Sequence, residues 1–266
     1  MGIMAAMEHL EITRDAGTAT VTLNRPDKKN ALHEALLGDI PKAIADLGQD
    51  RSVRTVVLRG AGGDFSAGID LGFLQSMLPK IDDIKAIMRG PVPNFFQAPA
   101  MSLAAIPQPV VAVIEGVCIG AGLQLALGAD IRIAHPDARF SIMEAKWGLI
   151  PDMGITQSLP KLMRADQAKE LIMTARMLTA TDAQAVGLVT HVSADPMAHA
   201  RELASEIATR SPDAVAGSKT LVDSTWAVDV QTALATEGAL QADLMGSPNQ
   251  MEAVMAGMTK RAPSFG

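Results

Sequence analysis

The chain has 266 residues, of which 48% are hydrophobic and 20% charged, and a formal net charge of −6. That length can bury one large core, or a core with an appendage, while the acidic balance excludes a nucleic-acid-binding surface, which needs a basic face. A single cysteine, Cys118, excludes an internal disulfide and makes a cytoplasmic location the expectation.

"MGIMAAMEHL" at the start lacks a basic stretch and a long apolar segment, so no secretory signal is expected. Nor does any apolar run approach the length of a membrane span. "HLEITRDAGTATVTLNRP" predicts two short strands around Asp15-Ala16-Gly17, with Ala19, Val21 and Leu23 at the alternation of a half-buried strand. Leu36, Leu37, Ile40, Ile44 and Leu47 recur at helical spacing over 33–47. "RTVVLRG" (Arg54–Gly60) is a continuous apolar run, as in a strand buried on both faces. The glycine-rich turn "AGGDFSAGIDL" follows it, then a helical pattern over 72–105 broken near Gly90-Pro91-Val92-Pro93. Next come a strand over Val110–Glu115, a second glycine turn and a helix from about Gly122. "DIRIAHP" predicts a short strand, and "ARFSIMEAKWGLIPDMG" a strand leading into an irregular loop. Helical patterns fill 154–175, 181–186, 196–209, 212–223, 229–246 and 248–260. Strands alternating with helices predict parallel βα units. The chain accordingly divides into a sheet-containing core over 1–195 and a helical C-terminal subdomain over 196–266, with no internal sequence repeat.

Each glycine turn follows a buried strand. The second, Gly120-Ala121-Gly122, fails as a dinucleotide fingerprint because Leu123, Gln124 and Leu125 follow with no third glycine. It also lacks the lysine of a phosphate-binding P-loop. Two N–H donors from separate turns could instead converge on one carbonyl oxygen and stabilise charge that develops during a reaction. A pair of ordinary tight turns is the plainer alternative.

"LNRPDKKNAL" (Leu23–Leu32), "FSAGIDL" (Phe65–Leu71), "GVCIGAGLQLALGADIRIA" (Gly116–Ala134) and "FSIMEAKWGLIPDMGITQSLP" (Phe140–Pro160) resemble the crotonase superfamily, the enoyl-CoA hydratase/isomerase family. "KRAPSF" (Lys260–Phe265) is similar to the family's ending, so the resemblance spans nearly the whole chain. It implies a ββα superhelix with helical C-terminal elements that serve trimerisation, assembled as a homotrimer or a dimer of trimers. It also implies an acyl-CoA substrate, with coenzyme A part of that substrate and no cofactor or metal. The implied oxyanion-hole donors are the main-chain N–H groups of Ile69 and Ala121, with alanine replacing the family's usual glycine at 121. The implied CoA-lining positions are Lys28, Lys29, Ala31, Ala67, Gly68, Asp70, Leu71 and Gly120. Ala67 would offer its carbonyl to the adenine, and Lys260 would approach CoA, in some relatives from a neighbouring subunit. For the lysines, a solvated surface charge is the alternative.

Family hydratases hold one water between two glutamates, and the matching positions here are Gln124 and Glu144. An amide cannot exchange a proton usefully near neutral pH, though it can orient water or substrate. Glu144, among Ile142, Met143, Ala145 and Trp147, remains as the acid/base; apolar surroundings would raise its pKa. Asp152 matches an aspartate of the family's dienoyl isomerases, or else caps a helix starting near Met153. Double-bond isomerisation is therefore slightly favoured over hydration. Alternatives are thioester hydrolysis, C–C cleavage, a non-catalytic acyl-CoA-binding protein and, last, a nucleotide-dependent oxidoreductase. Leu74, Met77, Leu78, Ile87 and Met88 form either a lid over the acyl chain or a helix face packed on the core. His9, His33, His135, His191 and His199 show no zinc-like spacing. Ser66 lies outside any nucleophile-elbow pattern and is read as a turn hydrogen-bonder. Cys118, in apolar surroundings, is read as core packing.

Overall fold

The computed structural model describes residues 7–266; the signal reading of the first six residues lies outside them. Strands β1 (Leu10–Asp15) and β2 (Thr18–Leu23) form an antiparallel hairpin. Its two-residue turn, Ala16-Gly17, has positive φ at both positions, the geometry that matches the twist of paired strands. In β2, Ala19, Val21 and Leu23 are fully buried and the threonines between them only half so, as the alternation predicts. β3 (Thr55–Gly60), β4 (Val110–Ile114), β6 (Ile131–Ala134) and β9 (His191–Val192) continue the sheet in parallel, giving the order β1-β2-β3-β4-β6-β9. A second sheet joins β5 (Val117–Ile119), β7 (Arg139–Ser141) and β8 (Leu178–Thr179), and a single bridge from Ser66 to Cys118 extends it. These short strands carry too few residues for a period-2 pattern to show.

Helix α1 (Glu34–Gln49) buries Leu36, Leu37, Ile40, Ile44 and Leu47 against the sheet and α4 (Ala98–Ala105). Between them, α2 (Leu71–Met77) and α3 (Ile81–Met88) supply the broken pattern over 72–105, their apolar faces partly open. β4, β5 and helix α5 (Ala121–Leu127) form one unit, with the first strand in the large sheet and the second in the small. β6, β7 and helix α6 (Ile155–Leu162) form another on the same plan, so the backbone repeats where the sequence does not. The helix expected over 154–175 is two, α6 and α7 (Ala165–Thr174), because Met163 is extended (φ −148°, ψ 167°). α8 (Ala180–Ala185) follows, held by a capping box between Thr179 and Asp182.

The chain is thus an α/β protein with a helical C-terminal region. α9 (Pro196–Ala208) lies across the sheet face opposite the main core, with Ala200 against Val57, Val111, Val113 and Ile133. α10 (Pro212–Thr225), α11 (Val230–Leu244) and α12 (Pro248–Thr259) pack on one another. Lys219 on α10 is 7% exposed; its Nζ contacts Asp130 Oδ2 at 2.9 Å and donates to the carbonyls of Leu103 (2.9 Å) and Gln108 (3.1 Å). That one ammonium ties the C-terminal helices to the core. No helix among the described residues is long and apolar enough to cross a membrane.

Candidate active site

The two glycine turns are stitched together edge to edge. Ser66 N donates to Val117 O at 2.9 Å and Ile119 N to Ser66 O at 3.1 Å. Ser66 Oγ donates to Asn30 O and accepts from Gly68 N, the turn-bonding role read for it. The approach is so close that a side chain at Gly122 would begin 2.6 Å from Ser66 Cβ. Gly68, at φ +90°, has the same constraint, since its side chain would begin 2.9 Å from Ile119 O and 3.5 Å from Ala121 N. Asp70 N donates to Leu32 O and Leu32 N to Gly68 O, which turns the intervening Ile69 N–H to the other side. Ala121 is the first residue of α5, where an N–H has no intrahelical partner. Neither Ile69 N–H nor Ala121 N–H finds an acceptor among the described residues. Ala121 sits in ordinary helical backbone, so alanine meets no strain there.

Both residues line a cavity of about 920 Å³, together with Gln124, Glu144 and Asp152. Gln124, 2% exposed on α5, donates from Nε2 to Glu144 Oε1 at 2.7 Å and accepts from Met153 N through Oε1 at 2.7 Å. Glu144 opens a short 3-10 turn after β7, and the point where a Gly120 side chain would begin lies 3.5 Å from its Oε1. Its other oxygen, Oε2, is shielded from solvent without any hydrogen-bond partner. Burial pushes the Glu144 carboxyl above the usual range; its hydrogen bonds, among them that from Gln124, pull the other way, and the nearby Asp152 charge adds to the rise. Burial raises Asp152 as well. The helix cap considered for Asp152 is not formed: α6 begins at Ile155 with Gly154 in the capping position and no side-chain cap.

Most other expected positions come to the same wall. Lys28, Ala31, Ala67, Gly68, Leu71 and Gly120 line the cavity, and so does Asp70, whose carboxylate caps α2 through Phe73 N (2.9 Å). Lys29 does not; its Nζ pairs with Asp64 at 3.3 Å. Lys260, past the end of α12, is also outside the lining. Leu74, Met77 and Met88 do contribute to the wall, whereas Leu78 and Ile87 face outward.

Sequence reasoning passed over Arg25, which bonds Asp70 Oδ2 at 2.7 Å and Ala31 O at 3.2 Å and so braces the lysine turn against α2. It also passed over Asn94, whose Oδ1 accepts from Phe96 N and Gln97 N, shaping the wall before α4. Asparagine ahead of a helical run in "NFFQAPA" was the available signal. Trp147, Leu149 and Ile150 complete an apolar rim and stay 54%, 54% and 75% exposed. Cys118 is fully buried, and burial pushes its thiol well up, which fits packing. No group of three metal-ligating side chains gathers among the described residues.

Comparison with known proteins gives one consistent answer. The sequence model of the enoyl-CoA hydratase/isomerase family matches residues 13–266. The mitochondrial enoyl-CoA hydratase domain-containing protein 2 of Bos taurus is 35% identical over 94% of this chain and 84% of its own length. Human mitochondrial methylglutaconyl-CoA hydratase is 34% identical over 97% of this chain and 76% of its own. Among solved structures, an enoyl-CoA hydratase from Bacillus anthracis superposes with a TM-score of 0.90 at 29% identity, covering 97% of this chain and 99% of the other.

Proposed function

The chain belongs to the enoyl-CoA hydratase/isomerase family, and we propose that its cavity takes an enoyl-CoA thioester and moves the double bond along the acyl chain, isomerisation being slightly favoured over hydration. One observation carries this reading. Ile69 and Ala121, whose main-chain N–H groups have no acceptor among the described residues, line the same cavity as Glu144, a carboxylate with one oxygen unpartnered. The thioester oxygen accepts from both N–H groups. When a proton leaves the α-carbon, negative charge collects on that oxygen, and each fixed donor is worth about 3 kcal/mol of barrier. Glu144 takes the proton and returns it at the γ-carbon, leaving the bond conjugated with the carbonyl. A carboxyl with a raised pKa is suited to both halves of that exchange. Asp152 assists transfers over a longer span.

In the same proposal Lys28 meets the CoA phosphates, the Ala67 carbonyl meets the adenine, and Lys29 and Lys260 act from the periphery. Coenzyme A enters as part of the substrate, and no cofactor takes part. The assembly is a homotrimer or a dimer of trimers, supported by exposed Trp226, Leu234, Met251 and Met258 in the C-terminal region; sedimentation equilibrium measures it. A cytoplasmic location rests on the lone free thiol, since the mitochondrial locations belong to the relatives' names.

Hydration is the second reading. It is favoured by Asp152, a second carboxylate on the cavity wall, and by the hydratase names of the relatives. Spectrophotometric assays on a 3-enoyl-CoA and a 2-enoyl-CoA, with wild type and Glu144→Gln, test both. Turnover of the 3-enoyl ester that collapses in the variant supports isomerisation. No Glu144-dependent turnover of either ester would sink the proposal.

A further inference from the structure

We infer that Gln124 is a positioning residue: its amide, oriented by the main-chain N–H of Met153, holds Glu144 Oε1 and so fixes the carboxylate that moves the proton. This rests on the proposed role of Glu144 as acid/base.

The orientation follows from what each partner can do. Met153 N–H can only donate, so the amide atom 2.7 Å from it is the oxygen. The amide's other end is then NH₂, and it faces Glu144 Oε1, also at 2.7 Å. Both ends sit in a buried setting, where an unpaired polar atom costs about 1–3 kcal/mol, so the amide cannot flip without stranding two partners. The clamp also survives a change of charge. Oε1 accepts from the amide whether Glu144 is ionised or carries a proton on Oε2. A glutamate at 124 would behave differently. Two carboxylates at 2.7 Å cannot both be charged, so the pair would share one proton, and Glu144 would be held only while that proton stays in place. Gln124 thus keeps the clamp out of the titration and leaves Glu144 as the only member of the pair that exchanges a proton.

The test compares wild type with Gln124→Leu and Gln124→Glu. In Gln124→Leu, kcat for the 3-enoyl-CoA falls about 10- to 100-fold with KM within about 3-fold, because positioning is lost and binding is not. The acidic limb of its pH profile moves to higher pH, since a donor to the Glu144 anion is gone. Gln124→Glu restores turnover near neutral pH, where the pair holds one proton, and loses it again on the alkaline side, giving a bell-shaped profile. Titration of the Glu144 carboxyl by NMR, in protein carrying ¹³C-labelled glutamate and assigned with Glu144→Gln, needs no turnover. A midpoint that rises in Gln124→Leu supports the inference even if the reaction proves to be another one. An unmoved midpoint in folded Gln124→Leu, or an unchanged kcat and limb, overturns it and leaves the reaction standing.

Discussion

Substituting Gly122 by alanine tests the claim that two touching turns set the spacing of the proposed oxyanion donors, Ile69 and Ala121. The added methyl carbon would sit 2.6 Å from Ser66 Cβ and 2.7 Å from both Ser66 O and Oγ. Carbon contacts relax near ~3.6 Å, so the two turns must separate by roughly 1 Å. Ser66 is rigid here, since its main-chain and side-chain atoms are bonded to Val117, Ile119, Asn30 and Gly68. The strain therefore falls on the start of α5, where Ala121 is the adjoining residue. A 1 Å misplacement of a donor costs about 10²-fold in kcat. Overpacking destabilises by about 1–3 kcal/mol, offset by about 1 kcal/mol because alanine is the better helix former. The net change lowers Tm by a few degrees, about 2–4 °C per kcal/mol. Gly238→Ala in α11 is the control, since its methyl group meets nothing within 4 Å; it should keep full turnover and gain slightly in Tm. Assays are initial rates at saturating 3-enoyl-CoA and differential scanning calorimetry. Gly122→Ala with kcat within twofold of wild type would refute the reasoning.

Glu144→Gln should abolish turnover yet melt higher than wild type at pH 8. The raised carboxyl pKa means the fold disfavours the anion, so wild-type stability falls as pH rises from the unfolded to the folded pKa; the gap in Tm should close in acid, where both states hold the proton. Activity should fall on acidification through that raised pKa, an acidic limb above the ordinary glutamate range, as the pH dependence of kcat/KM will show. Lys219→Ala should cost about 3 kcal/mol in urea unfolding. It strands Asp130, a quarter exposed, without its counter-ion and leaves the carbonyls of Leu103 and Gln108 unpaired; loss under 1 kcal/mol would argue against it. The charged groups lining the cavity are Arg25, Lys28, Asp70, Glu144 and Asp152, and Arg25 is already paired with Asp70. An enoyl-CoA ending in a carboxylate would approach Glu144 and Asp152 with no cation set beside them. Its kcat/KM should be at least about 10-fold below that of an uncharged chain of equal length, measured side by side.

Long apolar runs made the central strands legible: Val56–Leu58 and Val110–Ile114 are buried on both faces, and no polar residue interrupts them. The helix of 33–47 was legible for the same reason, its apolar positions repeating over several turns. The two-residue strands, Leu178–Thr179 and His191–Val192, were not legible, because they exist only through pairing with distant segments. The convergence of Ile69, Ala121, Gln124, Glu144 and Asp152 came from motif resemblance and not from periodicity. What the motifs hid was connectivity. That Gln124 would spend both ends of its amide on Glu144 and Met153 depends on how the loop after β7 folds back, which no local pattern encodes. Of the two readings open for Asp152, the cap fails because Gly154 turns the chain before α6 begins, a turn that the aspartate before a helix does not announce.

The placement of α9 has a consequence for how the protein is made. Val57, Val111, Val113 and Ile133 belong to strands synthesised in the first half of the chain, yet the side chain that meets them, Ala200, comes three-quarters of the way along. Until that helix clears the ribosome, one flank of the nascent sheet stays wet and adhesive. A ribosome stalled, or a gene cut, between residues 195 and 208 would leave a polypeptide with every proposed catalytic group already translated and a bare oily flank. Such fragments should depend on chaperones and clump where the finished enzyme does not.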